Sequence, residues 1–169
     1  MVGLDSPEAF EEIFWQSYCE NTESDFFQDY VTLILKRRKK DRYLSKNNQN
    51  INRIARIQQI FPSAINLIPF RNPVYHAASL IKQHKRFCKL QLINPFIRRY
   101  MILTCHSEFG LTYKPGYTSK LSFPDPTDIN HWLEQWLRTY TWIFKNFMSY
   151  DRVRFVCYEN LCRDPQYWQ

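Results

Sequence analysis

The chain has 169 residues, 44% of them hydrophobic and 17% aromatic, with only three glycines. That is enough apolar content for one packed domain over 1–169, and it excludes a disordered or low-complexity chain. Its 23 Lys and Arg against 16 Asp and Glu leave a charge of +7, which suits anionic partners without choosing among them.

Residues Met1 to Phe10 are acidic and lack the basic-then-apolar order of a signal peptide, and no apolar run approaches the ~20 residues of a membrane span. A cytoplasmic protein with no membrane segment is the expectation. The five cysteines are an odd number without CxxC spacing. They read as reduced thiols, neither a disulfide frame nor a zinc site, and no metal is expected.

Asp5-Ser6-Pro7-Glu8 starts a helix. Ser6 caps it, Pro7 takes the first position, and Glu8, Glu11 and Glu12 complement the positive helix end as far as about Tyr18. A second helix spans Asp25 to Lys39 and ends in bases. Arg42 to Lys46 is short and extended. The Asn-rich stretch Asn47 to Asn50 caps a third helix, which Phe61-Pro62 stops. Ala64 to Phe70 has strand length and composition, although Pro69 lacks an N–H for the ladder. A helix follows from Pro73 to about Lys89. Extended, helix, extended, helix predicts parallel strands with crossover helices, an α/β fold.

Leu90 to Cys105 reads as helical despite Pro95, and Ser107 to Pro126 as a long loop. Thr127 caps a long aromatic helix through about Tyr150. Its stripe of Trp132, Trp136, Tyr140, Trp142, Phe144 and Phe147 reads as core packing. Val153 to Tyr158 is a strand. The basic run Lys36 to Lys40 reads as a solvated helix end, so no nucleic-acid partner is expected.

The chemistry concentrates in Phe70-Arg71-Asn72-Pro73-Val74-Tyr75-His76-Ala77-Ala78-Ser79. Ligands of open α/β folds bind beyond the carboxyl ends of strands. Arg71 sits at such an end with a fork of donors suited to phosphate. Asn72 caps the next helix, and Ser79 lies seven residues on, about two turns, facing the same way. Taken alone, the spacing leaves open a phosphate clamp or a solvated arginine beside an inert serine.

Three blocks in order carry a resemblance. Tyr43-Leu44-Ser45-Lys46 leads through a helix to Ile60-Phe61-Pro62-Ser63-Ala64. Arg71 and Ser79 follow with a spacing of eight. Phe155-Val156-Cys157-Tyr158-Glu159-Asn160-Leu161 then precedes Asp164-Pro165. The sequence resembles the nucleotide-dependent sulfotransferases, closest to their bacterial and tyrosylprotein-type branch, from about Arg42 to Asp164.

The resemblance implies a P-loop-NTPase-like parallel sheet with flanking helices, and the sulfuryl donor 3′-phosphoadenosine-5′-phosphosulfate (PAPS). It implies Arg71 and Ser79 on the 3′-phosphate, Tyr158 near the adenosine, and Lys46 neutralising charge on the leaving oxygen. The partners it implies are the donor nucleotide and an acceptor hydroxyl on a carbohydrate, a tyrosine or a small molecule.

The family's loop for the 5′-phosphosulfate is expected upstream of this sequence, so the fold is expected to be incomplete at the N-terminus and also at the C-terminus. Little catalysis is then expected from this chain alone, and a non-catalytic remnant that binds nucleotide or protein is the alternative. Lys114-Pro115-Gly116-Tyr117-Thr118-Ser119 resembles that loop only in composition, since no strand precedes it. For the general base, Glu11 and Glu12 are the first candidates, with His106, Glu108 and His76 as alternatives.

Overall fold

The computed structural model describes residues 10–19, 26–116 and 121–168. The expected helix start at Ser6, Pro7 and Glu8 lies outside these residues, as do positions 117–119 of the loop-like stretch. The chain divides into two compact units, 1–64 and 65–169.

In the first unit, α1 (Glu11–Phe14) runs into a wider helical turn, Trp15–Cys19, and α2 covers Phe26–Arg38. Trp15, Phe27 and Val31 form its buried centre, with Phe14, Tyr30, Ile57, Ile60 and Phe61 packed around them. Trp15 meets Phe27 at 4.2 Å and Phe14 stacks on Tyr30 at 4.5 Å. The helix α2 ends with Lys39 at φ 52°. There the N–H groups of Lys39 and Lys40 reach back to the carbonyls of Lys36 and Leu35, closing a Schellman-type cap.

Residues 42–47 are extended but pair with no strand among the described residues. Their side chains alternate. Tyr43, Ser45 and Asn47 turn inward, while Leu44 and Lys46 are exposed. Asn47 then caps the tight turn Asn48–Arg53 by accepting from the Gln49 N–H, and α3 (Ile54–Ile60) follows.

The inward residues meet Glu11 and Glu12, both of which are buried. Glu11 accepts from Tyr43 Oη at 2.6 Å, from Ser45 Oγ at 2.7 Å and from Asn50 Nδ2 at 3.3 Å. Arg53 forks onto Glu12 at 2.7 and 2.8 Å, joined by Asn47 and Gln16. Both glutamates stand in the first turn of α1, as a helix-end complement would, but they are buried and fully engaged by side chains. They are the polar anchor onto which residues 43–53 fold.

Burial alone would raise the Glu12 pKa. Hydrogen bonds from Arg53, Asn47 and Gln16, with the charge of Arg53, outweigh it and lower the value. A lowered folded-state pKa means a contribution to stability that is fully present above the unfolded value of about 4.3 and is lost as pH falls through the folded value.

Removing one partner of a buried pair leaves a buried charge. Arg53→Ala is expected to cost the first unit about 3 kcal/mol in urea unfolding followed by Trp fluorescence. Arg53→Lys is expected to recover less than half of that, because an ammonium cannot make two parallel bonds. A loss under about 1 kcal/mol for the alanine variant would mean that the pair does not hold the unit together.

In the second unit, β1 (Asn66–Phe70) pairs in parallel with β2 (Val153–Cys157), Asn66 opposite Val153 and Phe70 opposite Cys157. Between them come α4 (Pro73–Ile93), α5 (Pro95–Leu103) and α6 (Ile129–Phe147), and α7 (Tyr158–Arg163) follows β2. Mixed helix and strand with a small two-stranded parallel sheet is thus the architecture among the described residues. The parallel partner of β1 is β2, not the extended stretch Arg42 to Lys46 of the expected βαβα run.

The pairing also accommodates Pro69. Asn66 donates to the Arg152 carbonyl, so 66, 68 and 70 face β2 in the alternating parallel ladder while 67 and 69 face away. Pro69 therefore places its donor-less nitrogen on the outer edge, where no ladder bond is lost. Its carbonyl there accepts from Tyr140 Oη of α6 at 2.8 Å. One face of the sheet, with Ile68 and Val153, is buried, and Phe144 of α6 meets Phe155 edge-on at 6.1 Å.

Two helix boundaries differ from expectation. The expected continuous helix Leu90 to Cys105 breaks at Asn94, which is extended and accepts from the Phe96 N–H, with Pro95 opening α5. Proline cannot continue a helix but fits its first turn. Asp128, not Thr127, caps α6 by accepting from Asn130, while Thr127 is held by Asp125.

The loop before α6 is fixed by buried histidines. His131 is fully buried. Its Nδ1 faces the Phe123 carbonyl at 2.7 Å and so carries the proton, leaving Nε2 to accept from Tyr113 Oη at 2.7 Å. Burial pushes the Tyr113 phenol up to about 12, so it stays a donor. Gly110 holds φ 87°, donates to His84 Nδ1 and packs so tightly on the Gln91 side chain that a Cβ would collide with it.

Candidate functional site

The in-register ends of β1 and β2 deliver Phe70 and Cys157 side by side, and the next residue on each strand is a candidate. The guanidinium of Arg71 lies over the Tyr158 ring, 5.3 Å from its centroid. That is within the range of a cation–π contact. The strand ends are tied a second time. Glu159 Oε1 accepts from the Asn72 N–H at 2.9 Å, and its Oε2 takes the Cys157 thiol at 3.5 Å.

Asn72 in turn accepts from the N–H groups of Val74 and Tyr75, and Pro73 has none to offer. The first turn of α4 is thereby satisfied by its own cap. Anything held at this corner is held by side chains and not by free helix-end amides.

Two nitrogens here have no hydrogen-bond partner among the described residues although their atoms are buried, Arg71 Nε and His76 Nδ1. Burial first, then the nearby charge of Arg71, lowers the His76 pKa, so the imidazole is neutral near pH 7. His76 and Ser79 follow Asn72 at four and seven residues, so the three share one strip of α4. Ser79 is exposed on that strip. The structure thus brings Arg71 onto Tyr158, while Ser79 is hydrogen-bonded to neither.

Lys46, Glu11 and Glu12 belong to the first unit. Lys46 is exposed and donates to Asn48 Oδ1 at 2.9 Å. It ends no strand, and the alternation of residues 43–47 turns it away from the side that binds Glu11 and Glu12. Those two carboxylates are engaged by the Tyr43, Ser45, Asn47 and Arg53 side chains. Of the alternative bases, His106 Nδ1 is 3.5 Å from Glu108. Cys88 and His84 do not form a nucleophilic pair. His84 Nδ1 accepts from Gly110, so its 3.5 Å contact with Cys88 is made by a protonated Nε2, and burial raises the thiol pKa.

Sequence reasoning did not find the Glu159 tie. Its only signal was an acid immediately after the Tyr158 position, and the partner lies 87 residues away. The chain matches no protein-family model, no curated protein and no solved structure.

The Glu159 pKa is lowered, chiefly by the Asn72 N–H and then by its own backbone N–H. The tie is therefore present above the unfolded glutamate value of about 4.3 and is lost as pH falls through the lowered folded value. Titrating the Asn72 amide shift by NMR is expected to give its inflection below about 4.3, and Glu159→Gln to abolish that inflection. An inflection at or above the ordinary value would contradict the contact.

Proposed function

We propose that this chain carries the 3′-phosphate-binding part of a sulfotransferase of P-loop-like fold, which moves a sulfuryl group from PAPS to an acceptor hydroxyl. The observation that carries the reading is the meeting of Arg71 and Tyr158 at the paired ends of two parallel strands, because ligands of such sheets sit beyond those ends.

The residues present fit the nucleotide. Arg71 Nε is a buried donor without a partner among the described residues, and such a group calls for an acceptor. On this reading the guanidinium and the Ser79 hydroxyl hold the 3′-phosphate as donors, and the Tyr158 ring, half exposed, borders the base. Glu159 keeps its two oxygens on Asn72 and Cys157, which holds Arg71 beside Tyr158 while partly offsetting the cation. Bound PAPS would supply an activated sulfuryl group. The chain's own contribution is to bind and orient it.

One observation favours a binding module of the same fold as the second reading. Glu11 and Glu12, the first candidates for the base, are taken up by partners within their unit, and a carboxylate so bonded is a poor proton acceptor.

Calorimetry with adenosine 3′,5′-bisphosphate, the desulfonated donor, tests the site. The wild type is expected to bind, Arg71→Ala to weaken binding at least about tenfold, or 1.4 kcal/mol, and Ser79→Ala by less. Equal affinity of wild type and Arg71→Ala, or no binding by either, would end the assignment. Transfer of labelled sulfate from PAPS to an added acceptor would separate the enzyme from the binding module.

A further inference from the structure

Between Arg42 and Ser107 the sequence contains no Asp or Glu. In the second unit this acid-free stretch forms α4 and α5, and it is basic. Lys82, Lys85, Arg86, Lys89, Arg98 and Arg99 are all exposed, and none is in an ion pair among the described residues. The charge of Lys85 acts on the Asp125 carboxylate without an ion pair between them.

The same corner exposes large apolar side chains. In the last turn of α4, Leu92 is 71% and Ile93 81% exposed, and on α5 Phe96 is 69% exposed. The three buried or half-buried positions of α5 and its end, Ile97, Met101 and Thr104, lie on one side. Phe96, Tyr100 and Leu103, at positions i, i+4 and i+7, form an exposed stripe roughly a quarter-turn round from that row, with Arg99 beside it and Arg98 next to exposed Ile102. Single exposed apolar residues need no explanation, but a contiguous set on one corner does.

We propose that the α4–α5 corner is a peripheral membrane-binding surface for bilayers rich in anionic lipid. Leu92, Ile93, Phe96 and Leu103 enter the headgroup boundary, and the surrounding bases meet lipid phosphates. Charge and apolarity together choose this occupant. A polynucleotide would use the bases but offers nothing to aliphatic tips, since base stacking needs aromatic platforms. A second copy of the chain packed on the same surface would bring two acid-free, basic patches face to face. An anionic bilayer takes both features at once, as basic amphipathic helices do at interfaces. No helix among the described residues is long and apolar enough to cross a membrane, so the association is with the surface. It does not depend on the nucleotide site.

Co-sedimentation with vesicles of phosphatidylcholine alone, or of phosphatidylcholine mixed with anionic phosphatidylglycerol, tests it on the whole chain. Wild type is expected to partition onto the anionic vesicles and not the neutral ones, and to be released by high salt. The double variants Ile93→Ser with Phe96→Ser and Arg98→Glu with Arg99→Glu are each expected to lower the partition at least about tenfold. All four side chains are exposed, and unchanged circular dichroism would confirm that both variants fold. Four results would overturn the proposal: no binding by wild type; equal binding to neutral vesicles; an apolar variant that binds like wild type while the charge variant fails, which marks a polyanion site; or a dimer in sedimentation that only the apolar variant breaks.

Discussion

The second unit depends on one parallel pairing. Two five-residue strands, separated in sequence by three helices, lie in register so that both carboxyl ends finish at one level. A two-stranded sheet is marginal by itself. Here α6 covers one face and spends a tyrosine hydroxyl on the carbonyl of Pro69, and Glu159 ties the start of α7 to the start of α4. Pairing, proline placement and carboxylate tie agree on a single register. A slip of one residue would turn Ile68 outward and put Pro69 against β2, losing a ladder bond.

The consequence of that register is chemical. Strand ends at one level place the next residues of each chain segment together, which is why a guanidinium from position 71 and a phenol ring from position 158 can meet. Asn72 has already satisfied the helix-end amides of α4. The corner therefore has directional donors from side chains, and an anion there would be read by Arg71 and its neighbours more than by the helix dipole. His76, lowered in pKa by burial and then by the charge of Arg71, adds a buried Nδ1 with no partner among the described residues one turn into α4.

Much of the second unit was legible because its signals are local. Asn72-Pro73 announces a capped helix, the apolar runs at 64–70 and 153–158 announce strands, and a strand-end arginine followed by Ser79 announces a helix strip. The boundaries that were missed are also local but were decided by competition. Pro95 overrode the apolar periodicity of Leu90 to Cys105, and Asp128 displaced Thr127 as a cap because Asp125 had already captured the threonine hydroxyl.

The first unit was less legible because its determinants are long-range. Charged residues are seldom fully buried, so two glutamates at a helix start read as surface charge. What buries them is Arg53, 41 positions away, together with Tyr43, Ser45 and Asn47 presented at every second residue by an extended segment. That alternation looks like a strand in sequence, and its polar inward face is the reason it is not one. The segment docks by side chains onto two carboxylates and leaves its backbone out of any ladder. The same alternation sends Lys46 outward, so the fold that consumes the carboxylates also determines which way the lysine faces.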